Sequence, residues 1–176
     1  MKASKKIAFS SILAAISVIM MLIGSFFGSL DLTAAAIASF CVIIAVIEMG
    51  YKSAWIIYAV SSALALIILP QKMPAVYFAV FLGYFPIVKS LAERFSPRVS
   101  YVIKFVTYFL AYAALSAVVI SFFPEAELRK YLIIACFLGA AVLFVYDIAL
   151  TRIIGSYCKN LRQRLGINKF FGNNGR

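Results

Sequence analysis

Residues 32–49 read LTAAAIASFCVIIAVIEM, a stretch of eighteen residues in which Glu48 carries the only charge. A stretch of this length approaches the roughly 20 apolar residues that an α-helix needs to cross the hydrocarbon core of a bilayer. A helix is favoured in lipid because it satisfies every backbone polar group within its own segment. The stretch therefore predicts a transmembrane helix.

The rest of the chain follows the same pattern. Of its 176 residues, 65% are hydrophobic and 13% are charged, and the mean hydropathy is +1.02. A soluble domain of this size has too little interior for so much apolar surface, whereas a bilayer accepts it. We predict an all-α polytopic membrane protein, a six-helix bundle forming one membrane domain, followed by a basic cytoplasmic tail over residues 155–176. The six apolar runs are residues 7–27, 32–49, 54–69, 75–88, 101–123 and 131–154.

The fourth run is the least regular of the six. Pro86 interrupts it and Lys89 follows closely. A proline is tolerated as a kink in a membrane helix when neighbouring groups satisfy the carbonyl that it leaves free. A re-entrant fourth segment would leave five crossings and place the termini on opposite sides. The distribution of charge argues against that alternative. The predicted connections are residues 29–31, 50–52, 70–74, 93–100 and 124–130.

Basic residues are distributed unequally between the two sides of the predicted bundle. With six spans and an inside N-terminus, 14 of the 17 Lys and Arg residues lie on the cytoplasmic side, and Lys72, Arg129 and Lys130 lie outside. The positive-inside rule then places both termini in the cytoplasm, and we expect the plasma membrane of a bacterial cell. Because the basic residues flank apolar runs, the net charge of +11 predicts lipid contact and no nucleic-acid partner. The basic tail is expected to lie on the anionic inner leaflet or to dock a cytoplasmic partner.

No catalytic or metal-binding motif is evident. The chain has three cysteines and no histidine, so it lacks the commonest metal ligand and general base. HExxH, a GxSxG elbow and a phosphate-binding glycine-rich loop are all missing from the sequence. We expect no enzymatic activity, no metal and no cofactor.

Two carboxylates, Glu48 and Asp147, fall inside apolar runs close to their predicted cytoplasmic ends. Lys52 follows Glu48 by four residues and Arg152 follows Asp147 by five. Ion pairs at the inner leaflet are the simplest interpretation, because ionisable groups within a membrane are costly unless they are paired. Proton or ion coupling and contact with a partner's basic surface remain open alternatives.

Polar and aromatic residues gather on the predicted outer face. A small solute with a flat ring could stack on tyrosines there while polar groups fix its orientation. Interfacial anchoring of the tyrosines is the alternative. The candidate substrate-binding residues are Asp31, Gln71, Lys72, Tyr77 and Tyr131.

The first predicted helix begins KKIAFSSILAAIS over residues 5–17. Ser10 with Ala14, and Ser11 with Ala15, place small residues four apart, the spacing that lets membrane helices approach closely. This helix resembles the first helix of the substrate-binding (S) components of energy-coupling factor (ECF) vitamin transporters, in which an Ala-xxx-Ala pattern packs against a transmembrane coupling subunit. Serine replaces the first alanine of each pair here. Ordinary packing within the bundle is the alternative explanation of these four residues.

The resemblance implies a solute-binding component of a vitamin or micronutrient uptake transporter that works with a coupling protein and ATPase subunits. Length, the six predicted spans and inside termini agree with it. An accessory or scaffold subunit, which needs only its helix faces and basic tail, is the second function class. A membrane enzyme acting on lipids is the third, and it would need a catalytic pair that the sequence does not display.

Overall fold

The computed structural model describes residues 3–28, 30–94, 97–122, 126–157 and 159, and it describes only the backbone of residues 3, 97, 114, 115, 117–122 and 126–135. Helices dominate these residues, and no strand occurs among them. The elements are α1 (Ala3–Phe26), α2 (Asp31–Met49), α3 (Tyr51–Ile68), α4 (Met73–Tyr77), a π-helical turn (Phe78–Leu82), α5 (Phe85–Ala92), α6 (Pro97–Phe122) and α7 (Ala126–Ser156).

Several of these helices are long and apolar enough to span a bilayer. Within the described residues, the qualifying stretches are Ser4–Phe26, Asp31–Met49, Tyr51–Ile68, Met73–Ala92 and Cys136–Ser156. Many large apolar side chains of these stretches are exposed, as expected for residues that face lipid. The chain is therefore an all-helical, multi-pass membrane protein. The predicted fifth span lies in α6.

Helix boundaries extend beyond the predicted apolar runs. Helix α6 begins at Pro97, inside the predicted connection over residues 93–100, and α7 begins at Ala126, inside the predicted connection over residues 124–130. Both predicted connections were therefore too long. Proline is favoured in the first turn of a helix because its missing N–H has no intrahelical acceptor there. The predicted runs follow the apolar sequence, so they leave out the polar residues at the ends of the helices.

Helices α2 and α3 are separated by a single residue, Gly50. Its φ of 85° and ψ of 175° lie in a region that side chains with a Cβ rarely adopt. Its N–H donates to the carbonyls of Ala45 and Val46, so the end of α2 stays satisfied. Tyr51 then begins α3, and the predicted connection 50–52 shrinks to one residue. We call this the Gly50 end of the helices, and the opposite end, where α2 begins and α3 finishes, the Asp31 end.

Small residues bring α1 and α2 together. A Cβ added at Gly24 would overlap the Cβ of Ala34, which shows how closely the two backbones approach. Further along, the hydroxyl of Ser17 donates to the carbonyl of Ala38 at 3.1 Å. Both Ser17 and Ala38 are fully buried. In lipid there is no hydrophobic driving force for helix association, so close packing and interhelical hydrogen bonds hold membrane helices together.

The fourth predicted span is a broken helix. Helix α4, the π-helical turn and α5 together cover Met73–Ala92, longer than the predicted run 75–88. Pro86 lies in the first turn of α5 and begins that helix instead of kinking a continuous one. The carbonyl of Ala79, in the π-helical turn, accepts a hydrogen bond of 2.6 Å from the hydroxyl of Tyr58 on α3. A neighbouring helix thus satisfies the broken backbone, as a segment in lipid requires.

Two compact units make up the chain. One contains residues 2–111, that is α1 to α5 and the first part of α6; its core lies between α1, α2 and α3, and the broken fourth segment packs against α2. The other begins at Tyr112 within α6 and includes α7. All side-chain contacts described below lie within the first unit.

Candidate functional site

Asp31 and Gln71 form a polar pair at the Asp31 end. Asp31 is the first residue of α2 and is only 8% exposed. The side-chain nitrogen of Gln71, in the connection after α3, donates to Asp31 Oδ2 at 3.0 Å. The second carboxylate oxygen, Oδ1, is buried and has no hydrogen-bond partner among the described residues. The structure therefore brings together two of the five predicted substrate-binding residues and leaves one strong acceptor unused.

Lys72 is directed elsewhere. Its ammonium group donates to the carbonyls of Leu69 at 2.6 Å and Ile67 at 3.4 Å. The last carbonyls of a helix lack intrahelical donors and carry partial negative charge, so a lysine just after α3 is attracted to them. In the structure the Lys72 side chain therefore caps α3, and its part in substrate binding stays a prediction.

The two tyrosines of the predicted site are placed separately. Tyr77 ends α4 and is half-buried, and among the described residues it forms no hydrogen bond to Asp31 or Gln71. Tyr131 belongs to α7, and its side chain lies outside the described residues. Its role in solute binding stays a prediction.

The small residues of α1 divide between two faces. Ala14 is 7% exposed, and the hydroxyl of Ser10 lies 3.4 Å from the sulfur of Met49 on α2. Ser10, Ala14, Ser17 and Gly24 thus follow the side of α1 that packs against α2. For Ser10 and Ala14, packing within the bundle explains the small size of the side chain, because bulk there would separate the two helices.

Ser11 and Ala15 lie on a different face, and both are exposed. The hydroxyl of Ser11 donates back to the carbonyl of Ile7 at 3.1 Å, so it needs no external partner even in lipid. No helix of the first unit requires small residues at these two positions. The exposed pair keeps the spacing that close helix association uses.

A charged cluster at the Gly50 end was missed by the sequence reasoning. Lys89 on α5 is 1% exposed and its ammonium lies 2.8 Å from Glu93 Oε1, an oxygen that Lys104 on α6 approaches at 3.4 Å. Beside it, the hydroxyl of Tyr51 lies 3.1 Å from that of Ser90. The four-residue spacing of Lys89 and Glu93 was the available signal, since such pairs face each other on a helix.

The two predicted inner-leaflet ion pairs have different settings. Glu48 is in the last turn of α2 and Lys52 is in the first turn of α3. The prediction of this pair assumed a four-residue spacing within one helix, but Gly50 separates the two residues into different helices. Asp147 and Arg152 are both on α7, half-buried and exposed respectively. Both ion pairs stay predictions.

Among the described residues, no three His, Cys, Asp or Glu side chains are grouped as metal ligands. Compared with known protein families, curated proteins and solved structures, the chain matches none. The Asp31 end offers a buried acceptor for a donor group, and α1 offers an exposed face for another helix.

Proposed function

We propose that the chain is the membrane-embedded, solute-binding component of a small-solute uptake transporter in a bacterial plasma membrane. It would act with a separate transmembrane coupling protein and ATPase subunits, because no nucleotide-binding motif occurs in the sequence. The observation that carries the proposal is the division of α1 into an inward pair, half-buried Ser10 and buried Ala14, and an exposed pair, Ser11 and Ala15. The inward pair is explained by the chain itself, whereas we assign the exposed pair to a partner.

The proposal includes six spans with both termini in the cytoplasm. At the Gly50 end, Lys52 and Arg94 are exposed and two further basic groups are buried around Glu93, whereas Lys72 lies at the Asp31 end. The positive-inside rule makes the Gly50 end cytoplasmic and opens the Asp31 end to the exterior. A solute from outside would then meet Asp31 and Gln71 first.

Single cysteines at two exposed lysines test this orientation. We expect Lys72→Cys to react with a membrane-impermeant maleimide on intact cells, and Lys52→Cys to react only after the cells are opened. The wild-type chain, which has three native cysteines, supplies the background labelling. Labelling of Lys52→Cys on intact cells would exclude the proposed orientation.

Neighbouring alanines on α1 test the partner contact. Ala15→Leu should leave the isolated chain as stable as wild type, because the added bulk meets lipid, but should reduce copurification with a coupling protein and ATPases by about tenfold or more. Ala14→Leu is the matched variant. It should destabilise the isolated chain by about 1–3 kcal/mol, because the same bulk enters the buried side of α1.

The two variants also separate the alternatives. Unfolding of the isolated Ala15→Leu chain would assign that face to internal packing and remove the support for a partner. Copurification with membrane proteins that include no ATPase, lost in Ala15→Leu, would favour an accessory or scaffold subunit. Both readouts use the full chain purified in detergent.

A further inference from the structure

The unused oxygen of Asp31 restricts what can bind beside it. An ionised carboxylate accepts hydrogen bonds and donates none, so a group that reaches Oδ1 must be a donor. The oxygen is buried and lacks a hydrogen-bond partner in the part of the chain that the structure describes. A buried acceptor without a donor is costly, and such exceptions in a folded protein call for a specific explanation.

Charge restricts the ligand further. No ion pair to Asp31 is formed within the described residues. Lys72 is the nearest lysine in sequence to Gln71, but its ammonium group donates to the carbonyls of Leu69 and Ile67. The first turn of α2 stabilises the Asp31 carboxylate through its partial positive charge without supplying a counter-ion. A positively charged donor would gain a charge-assisted hydrogen bond at this place.

The orientation of the Gln71 side-chain amide follows from its hydrogen bond to Asp31. Because the carboxylate of Asp31 only accepts, the end of the Gln71 amide that faces it must be the NH2 group. The amide oxygen, bonded to the same carbon as this NH2 group, is an acceptor. Gln71 is half-buried and follows Pro70 in the connection between α3 and α4, and the proline ring fixes φ at position 70. Gln71 thus holds one oxygen of the Asp31 carboxylate, and Oδ1 is the acceptor that the pair leaves without a hydrogen bond among the described residues.

We propose that Asp31, supported by Gln71, is the recognition site for an N–H donor on the transported solute, namely a protonated amine or the amino group of a heterocycle. This inference rests on the proposed function in one respect, namely that the ligand is a transported solute. Binding itself needs no other subunit. The site excludes carboxylates and phosphates, because a second anion beside Asp31 would be repelled in a region of low dielectric.

Three probes that share one ring test the donor requirement. Benzylamine is a cationic N–H donor, benzyl alcohol is neutral and benzoate is an anion. We expect benzylamine to raise the unfolding temperature of the purified full-length chain and benzoate to leave it unchanged. Asp31→Asn keeps the shape but removes the charge, and should weaken benzylamine binding by about 10-fold to 100-fold, as loss of a hydrogen bond to a charged group does. Thr33→Val, on the same turn of α2, should bind like wild type.

Equal effects of benzylamine and benzoate on the wild-type chain would overturn the inference, whether or not Asp31→Asn folds. So would unchanged benzylamine binding in a folded Asp31→Asn chain. Mass spectrometry of solutes retained by the purified protein gives an independent result, in which wild type should retain a compound with an amino group and Asp31→Asn should not. Asp31-dependent benzylamine binding by a chain that copurifies with no ATPase would keep this inference and reject the transport proposal.

Discussion

Gly24→Val is expected to destabilise the isolated chain by about 3 kcal/mol. At this position α1 and α2 approach so closely that even a Cβ would overlap the Cβ of Ala34, and the carbonyl oxygen of Leu30 lies 3.5 Å from it. The obstructing atom is fixed to the α2 backbone, so no side-chain rotation can relieve the overlap. Overpacking of this kind typically costs about 1–3 kcal/mol, and the branched side chain of valine places it at the upper limit. Reversible unfolding of the detergent-solubilised chain measures the loss.

Two further variants assign the effect to the crossing of α1 and α2. Gly24→Ala alone should destabilise the chain, and adding Ala34→Gly, which removes the overlapping Cβ, should restore part of the loss. Gly155→Ala is the matched control, because a Cβ on that helical glycine meets nothing within 4 Å. It should be neutral or stabilising by up to about 1 kcal/mol. A double variant that is no more stable than Gly24→Ala would contradict the proposed crossing.

The membrane helices were predictable because lipid enforces a simple pattern. Runs of apolar residues long enough to span a bilayer can only be helical or part of a barrel, so α1, α2 and α3 follow directly from composition. The fourth segment was harder. Whether Pro86 kinks a helix or begins one depends on which groups satisfy the surrounding carbonyls. That role falls in part to Tyr58, which is distant in sequence.

The candidate site was predictable only in part, for a related reason. Asp31 and Gln71 were expected at one end because both connections lie there, and in the structure the Gln71 amide donates to the Asp31 carboxylate. The direction of Lys72 was not expected, because it is set by the free carbonyls of α3. Likewise, Ser10 and Ser11 differ by one residue and have the same chemistry. Only the packing of α2 against one of them separates a structural residue from an available one.

The charged cluster at the Gly50 end extends beyond one helix. Lys89 and Glu93 share α5 and its C-terminal turn, but Lys104 reaches the same carboxylate oxygen from α6. A contact between residues of different helices has no characteristic sequence spacing, so the sequence could indicate Lys89 and Glu93 but not Lys104. The cluster joins the fourth predicted span to the fifth at the end that the proposal makes cytoplasmic.

Glu93→Gln is expected to destabilise the chain by about 1–3 kcal/mol. The substitution keeps the size of the side chain but removes the negative charge that lies 2.8 Å from the buried ammonium of Lys89 and 3.4 Å from that of Lys104. Loss of one partner of a fully buried ion pair costs about 3–5 kcal/mol. The side chain of Glu93 is 45% exposed, so solvent screens part of the interaction and the expected cost is lower.

A second substitution distinguishes charge from packing. Lys89→Met removes the most buried ammonium of the cluster while filling its volume with an apolar chain, so Lys89→Met combined with Glu93→Gln should be more stable than Glu93→Gln alone. Lys52→Gln removes an exposed lysine at the same end and should change stability by no more than about 0.5 kcal/mol. Equal stability of Glu93→Gln and Lys52→Gln in urea or thermal unfolding would contradict the role assigned to Glu93, because it would show that this carboxylate does not stabilise the buried ammonium groups of Lys89 and Lys104.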